Sequence, residues 1–377
     1  MTTSRKIGLY LHIPFCRQRC HFCAFYLEVA RSGRIEAFCS ALAQEIEIYG
    51  RQDLVGNRPL CSVYFGGGTP TAIPTKHLIS LLDLIRSTWP LAPDGEVTVE
   101  AHPSTVTRKD LHDLAEAGIT RISFGAESMN DSDFDPIGRP GNVRDTETAV
   151  SNAWAEGFTN INLDLMYGLP GQSVEAWAST LYALCALNPT HVSCYALTVE
   201  KGTKLAQDIA QQLVPQPDDG VQLQMEATAQ RILGESGFDR YEISNYAKPG
   251  AVCRHNLLYW TDQDYLGLGP SAQSYVDGSR FGNLADLTAY VDSLASSRVP
   301  ISEHIALTTA ERQRDALVFG LRLIKGVPKN LLHHQRQHMQ VQDLVAQGLL
   351  TADSERIRLT AFGQRYADTV AEQLFCS

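Results

Sequence analysis

Strand-length apolar runs recur at positions 7–13, 61–65, 96–101, 121–125, 160–166 and 191–197, with helical periods between them. Repeated alternation of this kind is the signature of βα units laid around a parallel sheet. The intervening helices each show one apolar face: Ile35, Phe38, Leu42, Ile46 and Tyr49 in the first, and Leu78, Leu81, Leu82 and Ile85 in the second. Thr107 followed by Asp110 reads as a helix N-cap with an acidic first turn. Six units are too few to close an eight-stranded barrel, so the expected fold is α/β, an open partial (β/α)6 barrel. Its active site belongs at the C-terminal ends of the strands.

Directly after the first run stand Cys16, Cys20 and Cys23, spaced C-x3-C-x2-C. Thiolates suit iron–sulfur clusters, Zn or Cu(I), and clustered cysteines in a chain without secretory features point to metal rather than disulfides. Three ligands leave one iron of a cubane free to bind a small molecule. The alternative is a zinc knuckle completed by His12 or His21. Zinc sites, however, usually pair C-x2-C with a second half-site, and none follows. Pro14, Phe15, Phe22 and Phe25 are apolar groups able to wall a cluster from water. The remaining cysteines are scattered. Cys39, Cys61, Cys185 and Cys194 are expected as small buried hydrophobes, while Cys253 and Cys376 are left open.

Other chemistry-bearing residues follow later strands. Gly66-Gly67-Gly68-Thr69 after the second strand can offer backbone N–H groups to an anion, or be only a tight turn. Glu100 at the end of the third can bind a ribose diol or an ammonium, or merely cap or pair. Asp164 ends an otherwise apolar strand, where a carboxylate needs a partner.

The stretch from Tyr10 to Cys23, with His-Ile-Pro-Phe-Cys at 12–16, resembles the radical S-adenosylmethionine (SAM) superfamily. It is most similar to the branch that holds the oxygen-independent coproporphyrinogen III oxidases. The resemblance spans nearly the whole chain. It implies a [4Fe–4S] cluster on Cys16, Cys20 and Cys23, and SAM contacts from Tyr10, Phe22, Gly67, Gly68, Thr69, Glu100, Glu127, Arg139, Asp164, Thr198 and Gln273. Where chemistry occurs, it implies reductive cleavage of SAM to a 5′-deoxyadenosyl radical, the electron coming from a flavodoxin- or ferredoxin-type reductant. Two positions depart from the pattern. Relatives carry Gln where this chain has Glu127, and a His shortly after the Gly-Arg pair where this chain has Gly141-Asn142. In the oxidases the Gln and Arg positions help to hold a second SAM. A carboxylate offers acceptors only, which puts that second site in doubt.

Beyond a predicted helix at 221–234, His255-Asn-Leu-Leu-Tyr259-Trp260 resembles the motif that marks heme chaperones of the HemW type. By that resemblance His255, Tyr259 and Trp260 are the heme-binding candidates, with His255 as iron ligand or as a structural, loop-holding histidine. From residue 301 the pattern reads as helical, with helices at 310–323, 329–338 and 341–347, two short apolar runs and a last helix. That order predicts a smaller C-terminal helical, winged-helix-like domain, for which the resemblance implies the role of a lid. His333, His334 and His338 are expected on an exposed polar face. The expected organisation is residues 1–236 as the cluster-bearing core, 237–300 as a segment extending the barrel, and 301–377 as the C-terminal domain.

Three functions fit these motifs. The first is a heme chaperone that hands heme to apoproteins. The second is a methylase or cyclopropanase of the same branch, and the third an oxygen-independent coproporphyrinogen III oxidase. The oxidase usually has a further Cys where Phe25 stands and a longer arm before the cluster. A formal net charge of −10 over 377 residues disfavours general nucleic-acid binding. No apolar run reaches the ~18 residues of a membrane span, and the first residues lead straight into a strand, so a reducing cytoplasm is expected.

Overall fold

The computed structural model describes residues 6–52, 54–56 and 58–375; Cys376 lies outside them. Six strands lie where the apolar runs predict them: β1 (Ile7–Ile13), β2 (Leu60–Gly67), β3 (Leu91–Ala101), β4 (Arg121–Glu127), β5 (Ile161–Tyr167) and β6 (His191–Ala196). All pair parallel in chain order. Helices α1 (Ser32–Arg51), α2 (Thr75–Thr88), α3 (Arg108–Glu116), α4 (Val143–Ala155) and α5 (Val174–Ala186) cross between them. The predicted faces of α1 and α2 are buried in the main apolar core. Thr107 and Asp110 form a reciprocal capping box that starts α3.

The chain then thickens the sheet at both ends. α6 (Lys204–Ala210) and α7 (Asp219–Glu235) lead to β7 (Asp239–Arg240) and β8 (Asn245–Ala247), which add antiparallel beyond β6. After α8 (Arg254–Trp260), β9 (Asp264–Leu268) returns to the other side of β1 and pairs with it in parallel. β10 (Gln273–Val276), β11 (Ser279–Asn283) and β12 (Ile301–Ala306) continue antiparallel, separated by α9 (Leu287–Ala295). The twelve-stranded order is β12-β11-β10-β9-β1-β2-β3-β4-β5-β6-β8-β7.

The structure departs from the apolar-run pattern in three places. A seventh parallel strand, β9, forms from Leu-Gly-Leu, outside the six apolar runs. Its Gly267 N–H is held by Ser274 Oγ at 2.9 Å, and a Cβ at Gly267 would meet the Gln273 carbonyl at 2.2 Å, so the close strand approach requires glycine there. Residues 301–306 are a solvent-exposed edge strand rather than helix. The helices expected at 329–338 and 341–347 are a 3-10 turn and one continuous helix, which follow α10 (Thr309–Gly320) and β13 (Val327–Pro328). α11 (Gln335–Ala346) is capped by Gln337 Oε1, which accepts from the His333 and His334 N–H groups.

β13, β14 (Leu350–Ala352) and β15 (Arg356–Leu359) make a small antiparallel sheet. With α10, α11 and the last helix, α12 (Ala367–Phe375), it encloses a separate core that includes Leu317, Val341, Leu344, Ile357 and Leu374. This is the helical, winged-helix-like part. His333, His334 and His338 are exposed. Among the described residues, no helix is long and apolar enough to cross a membrane.

Candidate functional site

The cysteines leave the C-terminal end of β1, as a parallel α/β sheet requires of its site. The loop is tied on every side. Arg19 donates to the carbonyls of Cys23, Phe25 and Leu27 at 3.2, 3.2 and 3.3 Å. The Cys16 carbonyl accepts from Ala30 N at 2.9 Å, and His21 N donates to the Ile137 carbonyl at 2.8 Å. Phe22 packs on the apolar cluster of Ile137, Met166, Leu169, Leu197 and Leu205, while Phe25 is 72% exposed and does not wall the loop. Burial pushes the Cys20 thiol up to about 11, opposed by the nearby Arg139 guanidinium, and raises Cys16 as well.

Cys16, Cys20 and Cys23 lie near enough for their charges to interact. Three thiols on one loop are the soft donors that an iron–sulfur cluster takes, so the donor chemistry fits such a group. His12 Nδ1 lies 3.2 Å from Tyr10 Oη, and burial lowers the pKa of the ring to about 4. Cys253 is fully buried with Sγ 3.6 Å from Glu96 Oε1, apart from the trio. Cys194 is buried; Cys39, Cys61 and Cys185 are only partly so, correcting the expectation for those three.

The glycine loop packs directly under the cysteines. Thr69 N donates to the Phe15 carbonyl at 2.7 Å and Gly68 N to the Ile13 carbonyl at 2.9 Å. Thr69 Oγ1 lies 3.5 Å from Cys16 Sγ. A Cβ at Gly68 would stand 2.7 Å from the Phe15 carbonyl oxygen, a backbone atom that cannot turn aside, so only glycine fits.

Next to this loop the inward faces of β3, β4 and β5 carry acids. Glu100 accepts from Tyr64 Oη at 2.8 Å and from Gly67 N at 3.2 Å. Loss of hydration and the neighbouring Asp164 charge raise its pKa to about 7. Asp164 is the fourth residue of β5 rather than its last. It accepts from Asn162 Nδ2 at 2.8 Å and Ser123 Oγ at 3.3 Å, and burial raises its pKa. Glu127 sits at φ +63° beside a break in strand register and pairs with Arg139 at 3.5 Å. Arg139 also donates to the Gly125 carbonyl. Burial lifts Glu127 to about 7 against the opposing Arg139 charge.

Thr198 and Gln273 are exposed, and among the described residues neither bonds to these acids. Tyr195 escaped sequence reasoning. It follows His191 and Ser193 on the inward face of β6, is 40% exposed at the mouth and lies near Asp164 and Glu100. The signal was available, since inward residues of a strand recur every second position.

His255, Tyr259 and Trp260 lie on α8, which closes the opposite, N-terminal end of the strands. His255 is buried, its Nδ1 2.9 Å from Ser62 Oγ and its Nε2 2.9 Å from Tyr259 Oη. Trp260 lies under the Arg322 guanidinium, 4.6 Å from its ring centre.

Residues 10–182 match the family described as the radical SAM superfamily. The chain is 34% identical over 376 residues to a Mycobacterium tuberculosis protein named heme chaperone HemW, covering 98% of this chain and 95% of that one. It is 31% identical over 369 residues to the Bacillus subtilis protein of the same name, covering 96% and 97%. Coproporphyrinogen III oxidase (HemN) from Escherichia coli superposes with a TM-score of 0.85 at 25% identity, over 98% of this chain and 90% of that structure. These matches span barrel and C-terminal part alike, and the chain belongs to the radical SAM superfamily, in the family of the HemW proteins.

Proposed function

We propose that this protein carries heme and delivers it to apoproteins, with a [4Fe–4S] cluster and SAM in a supporting role. Superfamily membership implies both cofactors. In this reading Cys16, Cys20 and Cys23 hold the cluster. Gly67, Gly68 and Thr69 meet the SAM methionyl group, Glu100 and Asp164 its cationic and hydroxyl groups, Tyr10 and Phe22 line the pocket, and Thr198 and Gln273 lie on its rim. When bound, these cofactors supply one-electron cleavage of SAM. The protein's part is to bind, orient and keep water from the site. A heme-accepting apoprotein and a one-electron donor of flavodoxin or ferredoxin type are the partners this reading requires.

One observation carries the choice of chaperone over oxidase: Arg139 is already taken. Its guanidinium is 6% exposed and engaged by Glu127 and the Gly125 carbonyl, which supports a chain that does not offer it to a second SAM carboxylate. The HemW names of full-length relatives support the same choice. Both ring nitrogens of His255 are engaged, which supports its structural, loop-holding alternative over iron ligation. Titration of the anaerobic, cluster-reconstituted protein with hemin is expected to give a saturable Soret shift at one heme per chain. Turnover of coproporphyrinogen III without such a shift would overturn the proposal.

A further inference from the structure

α8 is clamped to the lower ends of the strands that carry the cofactor loop. Glu96, on the same strand as Glu100, accepts from the N–H groups of Arg254 and His255 at 3.2 Å each. A Cβ at Gly8 would meet Leu258 at 2.3 Å and His255 at 3.1 Å, so β1 opens a glycine gap for the helix. Ser62, from β2, meets the His255 ring. Three strands, bearing Tyr10, the glycine loop and Glu100, therefore share one floor.

From that floor an aromatic column rises toward the site. The His255 ring lies 5.1 Å from the Tyr64 ring and 6.1 Å from the Tyr10 ring, the latter stacked at 29°. Tyr10 and Tyr64 stack at 6.1 Å. Tyr64 then donates to Glu100 at 2.8 Å, and Tyr10 reaches His12 at 3.2 Å. Each ring of the column thus meets the next by ring contact or hydrogen bond. A histidine so placed sets the height and tilt of Tyr64, and Tyr64 sets the carboxylate.

We propose that His255 is a positioning residue for the SAM site, acting through Tyr64 on Glu100, and not an iron ligand; this rests on the reading that Glu100 contacts SAM. The heme-linked motif is then the floor of the cofactor barrel. Trp260 under Arg322 joins that floor to the C-terminal part, whose Gly320 packs against the Trp260 carbonyl.

The test compares His255→Ala, His255→Gln, Tyr64→Phe and the Ala/Phe double variant. SAM affinity is measured anaerobically by calorimetry per assembled cluster, alongside hemin titration. His255→Ala is expected to weaken SAM about tenfold, the scale of one displaced hydrogen bond to a charged group. Gln, whose amide can serve both Ser62 and Tyr259, recovers most of it. The double variant is no weaker than Tyr64→Phe alone, because both changes act on one column; a merely structural loss would add instead. Hemin binding stays at the wild-type level. Unchanged SAM affinity in His255→Ala, additive losses, or loss of the Soret shift overturns the proposal. Should His255→Ala fail to fold, Tyr259→Phe keeps the ring buried and removes one of its bonds; it is expected to weaken SAM and to lose this effect when Tyr64 is Phe. Absence of SAM binding in the wild type would sink the reading beneath as well, whereas unaltered variants sink only the positioning role.

Discussion

Affinity for SAM is expected to depend on pH through Glu100. Its carboxyl stands near 7 because it has lost hydration and faces Asp164, while Tyr64 and Gly67 favour its charge. A cationic ligand favours the ionised form. At pH 8 about nine in ten Glu100 side chains are already ionised, whereas at pH 6 about one in ten is. Binding at pH 6 must therefore first remove a proton, which costs about 1.4 kcal/mol and weakens the affinity about tenfold. Calorimetry in two buffers of different ionisation enthalpy reads the same event as close to one proton released at pH 6 and few at pH 8. Glu100→Gln is expected to bind more weakly at pH 8, by about 2 kcal/mol for a lost charged hydrogen bond, and to show a flat profile. Asp164→Asn removes a charge that lifts Glu100 and moves the midpoint to lower pH. A wild-type affinity that does not change between pH 6 and 8, or a Gln variant that keeps the slope, refutes the reasoning.

Replacing Cys16, Cys20 or Cys23 by Ala is expected to abolish the [4Fe–4S] spectrum, and an intact cluster in all three variants would refute the ligand set. Gly68→Ala drives a methyl against the Phe15 carbonyl at 2.7 Å; iron and sulfide per chain should fall although all three thiols remain. Glu45 is fully buried and accepts from Tyr290 Oη, Asn283 Nδ2 and Gly269 N at 2.6, 2.7 and 2.8 Å. Burial raises its pKa to about 7 against an ordinary 4.5. The native state then binds the extra proton, so stability falls as pH rises from about 4.5 through 7. Glu45→Gln removes that slope: urea unfolding of the variant relative to wild type should shift by about 2 kcal/mol in its favour between pH 5.5 and 8. Parallel curves would show that Glu45 keeps its ordinary pKa in the fold.

The six barrel strands were legible because each holds a short apolar or alternating run between helical faces, although β3 begins at Leu91, five residues before the run that marks it. β9 was not, since its glycines carry the spacing of a loop and only the approach of Gln273 explains them. β12 failed for the opposite reason: Ser302, Glu303 and His304 give an edge strand the composition of a surface segment. The cluster loop, the glycine loop and the strand-end acids were readable from motif and placement. The layering was not. Nothing in His255-Asn-x-x-Tyr-Trp says that it sits below the sheet rather than beside the cysteines; that follows from Glu96, Ser62 and Gly8, residues with no motif of their own. Asp164, placed mid-strand by the structure, shows the same limit from the other side.

Arg19 bonds three alternate carbonyls of the cysteine turn, those of Cys23, Phe25 and Leu27. Each of those bonds removes backbone freedom from the turn that a cluster would otherwise have to remove on its own.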